Sequence, residues 1–370
     1  MKRGGWVVVF LVMLGVAVLM VRRGPSDAGR VEGGEPVPSA ARQESVAGPV
    51  APVIDDAFRS LDAARGGADV RRILARLESD LFAMPPAEAS RAMVDFLADD
   101  SRNFRTGLSF TLRPDGSLKT APALRVALLD WLGRIDPAQA AKLAETVLAE
   151  SNDPDEWAVC LRNKALGDPG PETRDDLERK AIELVRNPEW RTKPTAGYLE
   201  AFDVLVHTRA TSAVPLLSEL VSDRSEAGRA TAHAAFLTLD RLVRLAPEET
   251  LGWLAGDAAV AASRPVMLAQ LMARADLRDA AQRKVVEDYL LDPARSAAGL
   301  DAFAAIFPNS NYPVSDNLLT RVEIPSGAEM DARDRAAREV IDAWRREERF
   351  GALGDRLGAI RERLDGYLDP

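Results

Sequence analysis

The sequence predicts an all-α fold, an array of short antiparallel helix pairs stacked into a solenoid, and three observations carry that expectation. Aromatic residues make up only 6% of the 370, and alanine is abundant, which favours helices packed through small side chains over a sandwich of strands. Apolar residues recur at helical spacing: in "PALRVALLDWLGRIDP", Leu124, Leu128, Trp131 and Ile135 form one stripe on one face. Segments of this kind alternate with short Pro, Gly and Asp breaks to the end of the chain, with no strand–helix alternation.

The chain opens with a different pattern. Trp6 to Val21 is free of charge, and with Gly4 and Gly5 the apolar run spans roughly 27 Å as a helix, enough for a thin bilayer. A cleaved signal peptide has a shorter core followed closely by a small-x-small site. Here the run ends in Arg22-Arg23, and the first small cluster, Ser39-Ala40-Ala41, lies far downstream. Residues 1–23 are therefore expected to be a retained transmembrane signal anchor. Lys2 and Arg3 face Arg22, Arg23 and Arg30, so the charge rule is nearly balanced. The short tail places the N-terminus inside and the bulk outside, at the inner membrane of a bacterial envelope. The alternative is a leader removed after export, leaving a secreted or periplasmic soluble module that binds a peptide or glycan. Residues 24–52, rich in Gly, Pro, Ser and Ala, read as a flexible tether.

Residues 53–307 carry the helical array. Asp136-Pro137-Ala138-Gln139 has the form of a capping box with proline at the first helical position; Asp153-Pro154 repeats the device, and Asp292-Pro293 repeats its first half. Pro171 and Pro247 mark comparable starts. One stretch departs from helix. In "LSFTLRPDGSLKT", Leu108, Phe110 and Leu112 alternate, Pro114-Asp115-Gly116 is a turn signal and Leu118 begins a return, which predicts a small β-hairpin. Its edge either packs onto the next helix or pairs with a partner strand.

The stretch "TSAVPLLSELVSDRSEAGRATAHAAFLTLDRLV" resembles a HEAT repeat of the armadillo-like solenoid families. Val214-Pro215-Leu216-Leu217 and Leu220 match the first helix, Asp223 lies in the turn, and Arg229 enters a second helix running through Ala232, Ala235 and Leu239. The resemblance implies a right-handed α-solenoid in which Asp223 and Arg229 form a hydrogen-bonded ladder between neighbouring repeats. The role is structural. A second stretch, "PAQAAKLAETVLAESNDPDEWAVCLRNKAL", has the same length but carries Val159 where the arginine belongs.

Residues 308–327 form the second break. Pro308, Pro313 and Pro325 exclude a continuous helix, and the segment is either a connection or a recognition loop with Asn309, Asn311, Tyr312 and Asn317 as ligand contacts. Residues 328–370 form a helical cap: Ala336, Val340, Ile341, Trp344, Leu353, Leu357, Ile360 and Leu364 make its narrow apolar stripe, which also suits docking or self-association.

Several classes of work find no support. The net charge of −9, without a basic block, argues against nucleic acid as a partner. Cys160 stands alone, so neither a disulfide nor a cysteine-based metal site forms within the chain. His207 and His233 lack metal-ligand spacing, and paired acids such as Asp175-Asp176 and Glu248-Glu249 sit where they complement helix ends. No phosphate-cradling or nucleophile-elbow motif appears. The sequence thus leads to a membrane-tethered scaffold or adaptor that binds another protein, with no catalytic residues and no cofactor. A carboxylate-based enzyme would need a deep acidic pocket.

Overall fold

Proline sets the helix starts along much of this chain, because its missing N–H is one the first turn leaves unpaired anyway. In the computed structural model, which describes residues 51–368, the helices run α1 (Ala51–Asp62), α2 (Gly67–Ala83) and α3 (Pro86–Leu97), then a hairpin of β1 (Thr111–Leu112) and β2 (Leu118–Thr120). There follow α4 (Leu124–Ile135), α5 (Pro137–Glu150), α6 (Pro154–Gly167), α7 (Pro171–Arg186) and the short α8 (Pro188–Thr192), α9 (Ala196–Glu200) and α10 (Asp203–Thr208). The remainder is α11 (Val214–Ser222), α12 (Arg229–Leu245), α13 (Pro247–Gly256), α14 (Ala258–Ser263), α15 (Pro265–Met272), α16 (Ala280–Leu291), α17 (Ala297–Ile306), α18 (Gly327–Trp344) and α19 (Gly354–Leu368). The chain is all-α over these residues apart from the one hairpin. The expected membrane anchor, and the tether up to residue 50, lie outside the described residues. No helix among the described residues is long and apolar enough to cross a membrane.

Capping explains the boundaries. Asp136 accepts a hydrogen bond from Gln139 N at 3.1 Å and opens α5. The reciprocal half of a capping box is not made, because Asp136 N donates instead to Leu132 O and closes α4. Asp153 opens α6 through Asp155 N at 2.9 Å. Asp292-Pro293 behaves differently from expectation. Asp292 accepts from Ala294 N in a turn, and α17 starts later, from a Ser296 cap on Gly299 N.

Helix α6 is the centre of the N-terminal half and packs against α4, α5, α7 and α9. Every residue from Asp155 to Ala165 on it is buried, including Glu156, Arg162 and Asn163. Each of these polar side chains has a partner, which is what makes its burial tolerable. Glu156 takes Arg125 Nε of α4 at 2.9 Å. Arg162 Nη1 reaches Asp130 at 2.6 Å and the Gly116 carbonyl at 2.8 Å, while Asp130 also accepts from Leu118 N at 2.8 Å. This polar seam seats the hairpin on α4 and α6. Its strands are antiparallel, with Thr111 opposite Thr120 and Leu112 opposite Leu118. Asp115 holds the turn by accepting from Ser117 N, and Gly116 has φ +81°, a conformation that favours glycine.

In the C-terminal half α11 packs on α12, and α12 continues onto α13. Leu216, Leu217, Leu220, Ala235 and Leu239 are buried between them. In the last layer α19 packs on α18 and α17, burying Ile341, Trp344, Leu357, Ile360 and Leu364 along one stripe.

Residues 307–326, between α17 and α18, form neither helix nor strand. They make a strap across other elements. Asn309 N donates to Ala273 O at 2.8 Å, past the end of α15. Leu318 is 1% exposed, and its carbonyl lies against Gly116 of the hairpin turn. Leu319 N and Thr320 N donate to Asp203 Oδ2 of α10 at 2.6 and 2.9 Å.

Candidate ligand-binding cleft

The strap's return leg, Thr320 to Pro325, forms one wall of a cleft of ≈ 620 Å³. The other walls come from the end of α10, the C-terminal half of α12, the turn after α15 and the start of α18. Seven arginines line it against three carboxylates, Asp276, Glu323 and Glu329. A chain of net charge −9 thus gathers cations at one place.

Most of these arginines are committed to the walls. Arg274 and Asp240 are both buried and meet twice, Nε to Oδ1 at 2.7 Å and Nη2 to Oδ2 at 3.2 Å. The planar fork of arginine matches a carboxylate in this way, and the paired geometry is what allows two charges to be buried together. Arg274 Nη1 also donates to Asn309 O at 2.9 Å, tying the strap to the wall. Arg244, one turn after Asp240 on α12, approaches the same carboxylate at 3.5 Å. Burial pushes the Arg244 guanidinium down from its ordinary pKa, with Asp240 opposing and the charges of Arg274 and Arg241 adding to the push. Arg241 pairs with Asp203 at 2.6 Å. Arg278 bridges Asp276 at 2.6 Å and Glu329 at 2.7 Å. Burial tends to raise Asp276, but the hydrogen bonds from Arg278 and the charges of Arg333 and Arg278 outweigh it and hold the carboxyl below its usual range.

Tyr312 is the aromatic element of the cleft. The guanidinium groups of Arg244 and Arg274 lie 5.3 and 5.4 Å from its ring centre, and its hydroxyl accepts from Arg333 Nη1 at 2.9 Å. Two cations over one ring, with the hydroxyl fixed, leave the side chain one position.

Two arginines remain. Arg209 and Arg321 are exposed and line the cleft, and their side chains have no ion-pair or hydrogen-bonding partner among the described residues. The lining also includes exposed apolar groups, Leu245 at 42% and Ile324 at 56%. His207 also lines the cleft, and its pKa is lowered by partial burial, against the pull of Asp203 and with the help of Arg174. The arrangement offers cationic donors beside apolar surface. It suits binding an anion and holds no poised nucleophile.

The strap asparagines have other duties. Asn309 spends its side chain on Gln270 O and Asn311 N. Asn317 bonds Ser315 and Thr320 O within the strap. Asn311 is exposed outside the cleft lining, so of the four candidate contacts only Tyr312 reaches the cleft. Asp223 accepts from Ser225 N at 2.8 Å, and the Arg229 guanidinium, largely exposed, approaches Glu226 at 3.9 Å. The connection between neighbouring helices at that point is made instead by Arg264, which donates to Val221 O at 2.8 Å and Asp223 O at 2.9 Å. Cys160 is fully buried, and burial raises its thiol far above the ordinary value, with Glu156 adding to it. Among the described residues, no group of three His, Cys, Asp or Glu is arranged to hold a metal ion.

The arginine cluster was missed by sequence reasoning because five separated segments supply it. Arg241 and Arg244 on α12, and Arg274 and Arg278 in the turn after α15, are its local traces. No protein-family model matches the chain, and no curated protein matches it.

Proposed function

We propose that this chain is a protein-binding helical array, a HEAT-like solenoid that acts as a scaffold or adaptor and has no catalytic step of its own. The observation that carries the reading is the cleft itself. It combines exposed apolar side chains, a fixed tyrosine and unpaired arginines, the composition that recurs where proteins grip other proteins. Three of the buried acids, Asp130, Glu156 and Asp240, are each paired with a buried arginine, Arg162, Arg125 and Arg274. That leaves them no role as a general acid or base.

The N-terminal apolar run supports the second half of the proposal, a single-pass anchor at the inner membrane with the array outside. A tether behind an anchor raises the local concentration of the array for a partner at the same surface. The test is a crosslinked pull-down of the full-length chain from detergent-solubilised native membranes, read by mass spectrometry for both the partner and the chain's own N-terminal peptide. One reproducible envelope protein, with Met1–Arg22 retained, is expected. A chain beginning within residues 24–52 and absent from membranes would transfer the proposal to a soluble binding module.

A further inference from the structure

Arg209 closes α10 with φ +54°, in the left-handed region. It is the only residue other than glycine with positive φ among the described residues. Helix ends commonly reach this conformation, but they do so with glycine or asparagine, because a Cβ there crowds the backbone. The chain keeps an arginine at this position, and its side chain makes no bond that would repay the strain: it is exposed and lines the cleft. Strain of this kind persists where a side chain has a task. Arg321, in the strap, also lines the cleft and is likewise exposed, with an unpaired side chain.

We infer that the cleft receives an acidic, partly apolar peptide segment of the partner, with Arg209 and Arg321 taking its carboxylates and Leu245 and Ile324 seating its apolar side chains. The inference rests on the protein-binding reading above. Charge complementarity selects the occupant. Arg241, Arg244 and Arg274 are neutralised from behind by Asp203 and Asp240, and Arg278 and Arg333 by Asp276 and Glu329. Seven arginines thus exceed the five carboxylates Asp203, Asp240, Asp276, Glu323 and Glu329 by two, and the two arginines without a carboxylate partner are Arg209 and Arg321. A small inorganic anion would leave the apolar groups Leu245 and Ile324 in water, and a neutral apolar peptide would desolvate two guanidinium groups without return. An acidic peptide with interleaved apolar residues satisfies both.

The test titrates the full-length chain in detergent with two fluorescent octapeptide pools. In one, Asp or Glu alternates with Leu or Phe; in the other, Asn or Gln replaces the acids. The acidic pool is expected to bind at least about tenfold more tightly than the neutral one, and to weaken as salt rises from roughly 50 to 300 mM. The Arg209→Gly/Arg321→Ala variant should lose about tenfold or more for the acidic pool. Arg209→Gly alone should melt at or above the wild-type temperature while binding more weakly, so the loss is not one of folding. Equal binding of the two pools, unchanged binding by the double variant, or displacement of the acidic pool by equimolar inorganic phosphate overturns the inference. Photo-crosslinkers at Trp253 and Val266, exposed outside the cleft, and at Ile324 within it separate the two levels. Protein adducts at Trp253 or Val266 with no binding of the acidic pool defeat the cleft alone. No adduct at any of the three defeats the protein-binding reading as well.

Discussion

Replacing Gly116 with alanine tests how the strap is held. Gly116 has φ +81°, and a Cβ built there would overlap the Leu318 carbonyl oxygen, with Leu318 C at 3.1 Å and Asn317 O at 3.2 Å. Both obstacles are backbone, so no side-chain rotation relieves the overlap. The left-handed conformation itself costs an alanine about 1–2 kcal/mol. Relief of the overlap requires the strap to lift, which exposes Leu318, now 1% exposed, at about 2–3 kcal/mol. The expected destabilisation is therefore about 3–5 kcal/mol. Gly107→Ala is the internal control: Gly107 has φ +69°, but a Cβ there meets nothing within 4 Å. It should cost only the backbone part, about 1–2 kcal/mol. Urea denaturation compares the two variants, and hydrogen exchange reads the Leu319 and Thr320 amides. Those amides should exchange faster in Gly116→Ala and as wild type in Gly107→Ala. If both variants lose the same stability, contact between strap and hairpin is not what holds the loop.

Three further outcomes follow from titratable groups withdrawn from water. Asp203→Asn should destabilise the fold by about 3 kcal/mol and free the strap, because Asp203 accepts from Leu319 N and Thr320 N and neutralises Arg241; limited proteolysis within 310–325 would show it. Glu200 has its pKa pushed up to about 7, by burial first, then by Asp203 and Asp316, with Arg241 opposing. The folded chain thus holds that proton more tightly than the unfolded one, so its stabilising contribution is complete below the unfolded value near 4.5 and is lost as pH rises through 7. Partial solvent contact reduces the effect to about 1–2 kcal/mol, and Glu200→Gln should flatten the stability profile across that window and stabilise the fold at alkaline pH. Cys160, fully buried with a raised thiol pKa, should resist alkylation by iodoacetamide in the folded chain and react on denaturation.

Local chemistry was legible in the sequence wherever a residue acts on its own neighbours. Proline and aspartate marked the starts of α5, α6, α7 and α13, and Pro114-Asp115-Gly116 marked the hairpin turn. Asp292-Pro293 looked the same and makes only a turn, since Ser296 offers a cap a few residues on and α17 forms from there. The strap was visible as a stretch that could not be helix, and its asparagines as polar groups with something to bond. What the sequence could not show is that Asn309 and Asn317 satisfy the strap's own backbone and its seat on α15. Asx-type bonding inside a loop and ligand bonding have the same composition. The arginines of the cleft were illegible for another reason. Each sits in an ordinary charged helix or loop, and although Arg244 and Arg278 have carboxylates nearby in sequence, long-range packing is what gives Arg241, Arg274 and Arg333 theirs and leaves Arg209 and Arg321 without.

The seat of the strap also orders events during synthesis. Asp203 lies 116 residues ahead of Leu319, and the hairpin turn that receives Leu318 is made earlier still. At ribosomal speeds of about 5–20 residues per second, roughly 6–23 seconds pass between the emergence of that carboxylate and of the amides that satisfy it. Throughout that interval the nascent segment from β1 to α10 presents an uncovered hairpin turn, and Asp203, met by Arg241 after 38 residues, still lacks the two strap amides. Any factor that guards the chain as it is made would find an open surface there, and truncation before residue 318 would leave that surface open for good.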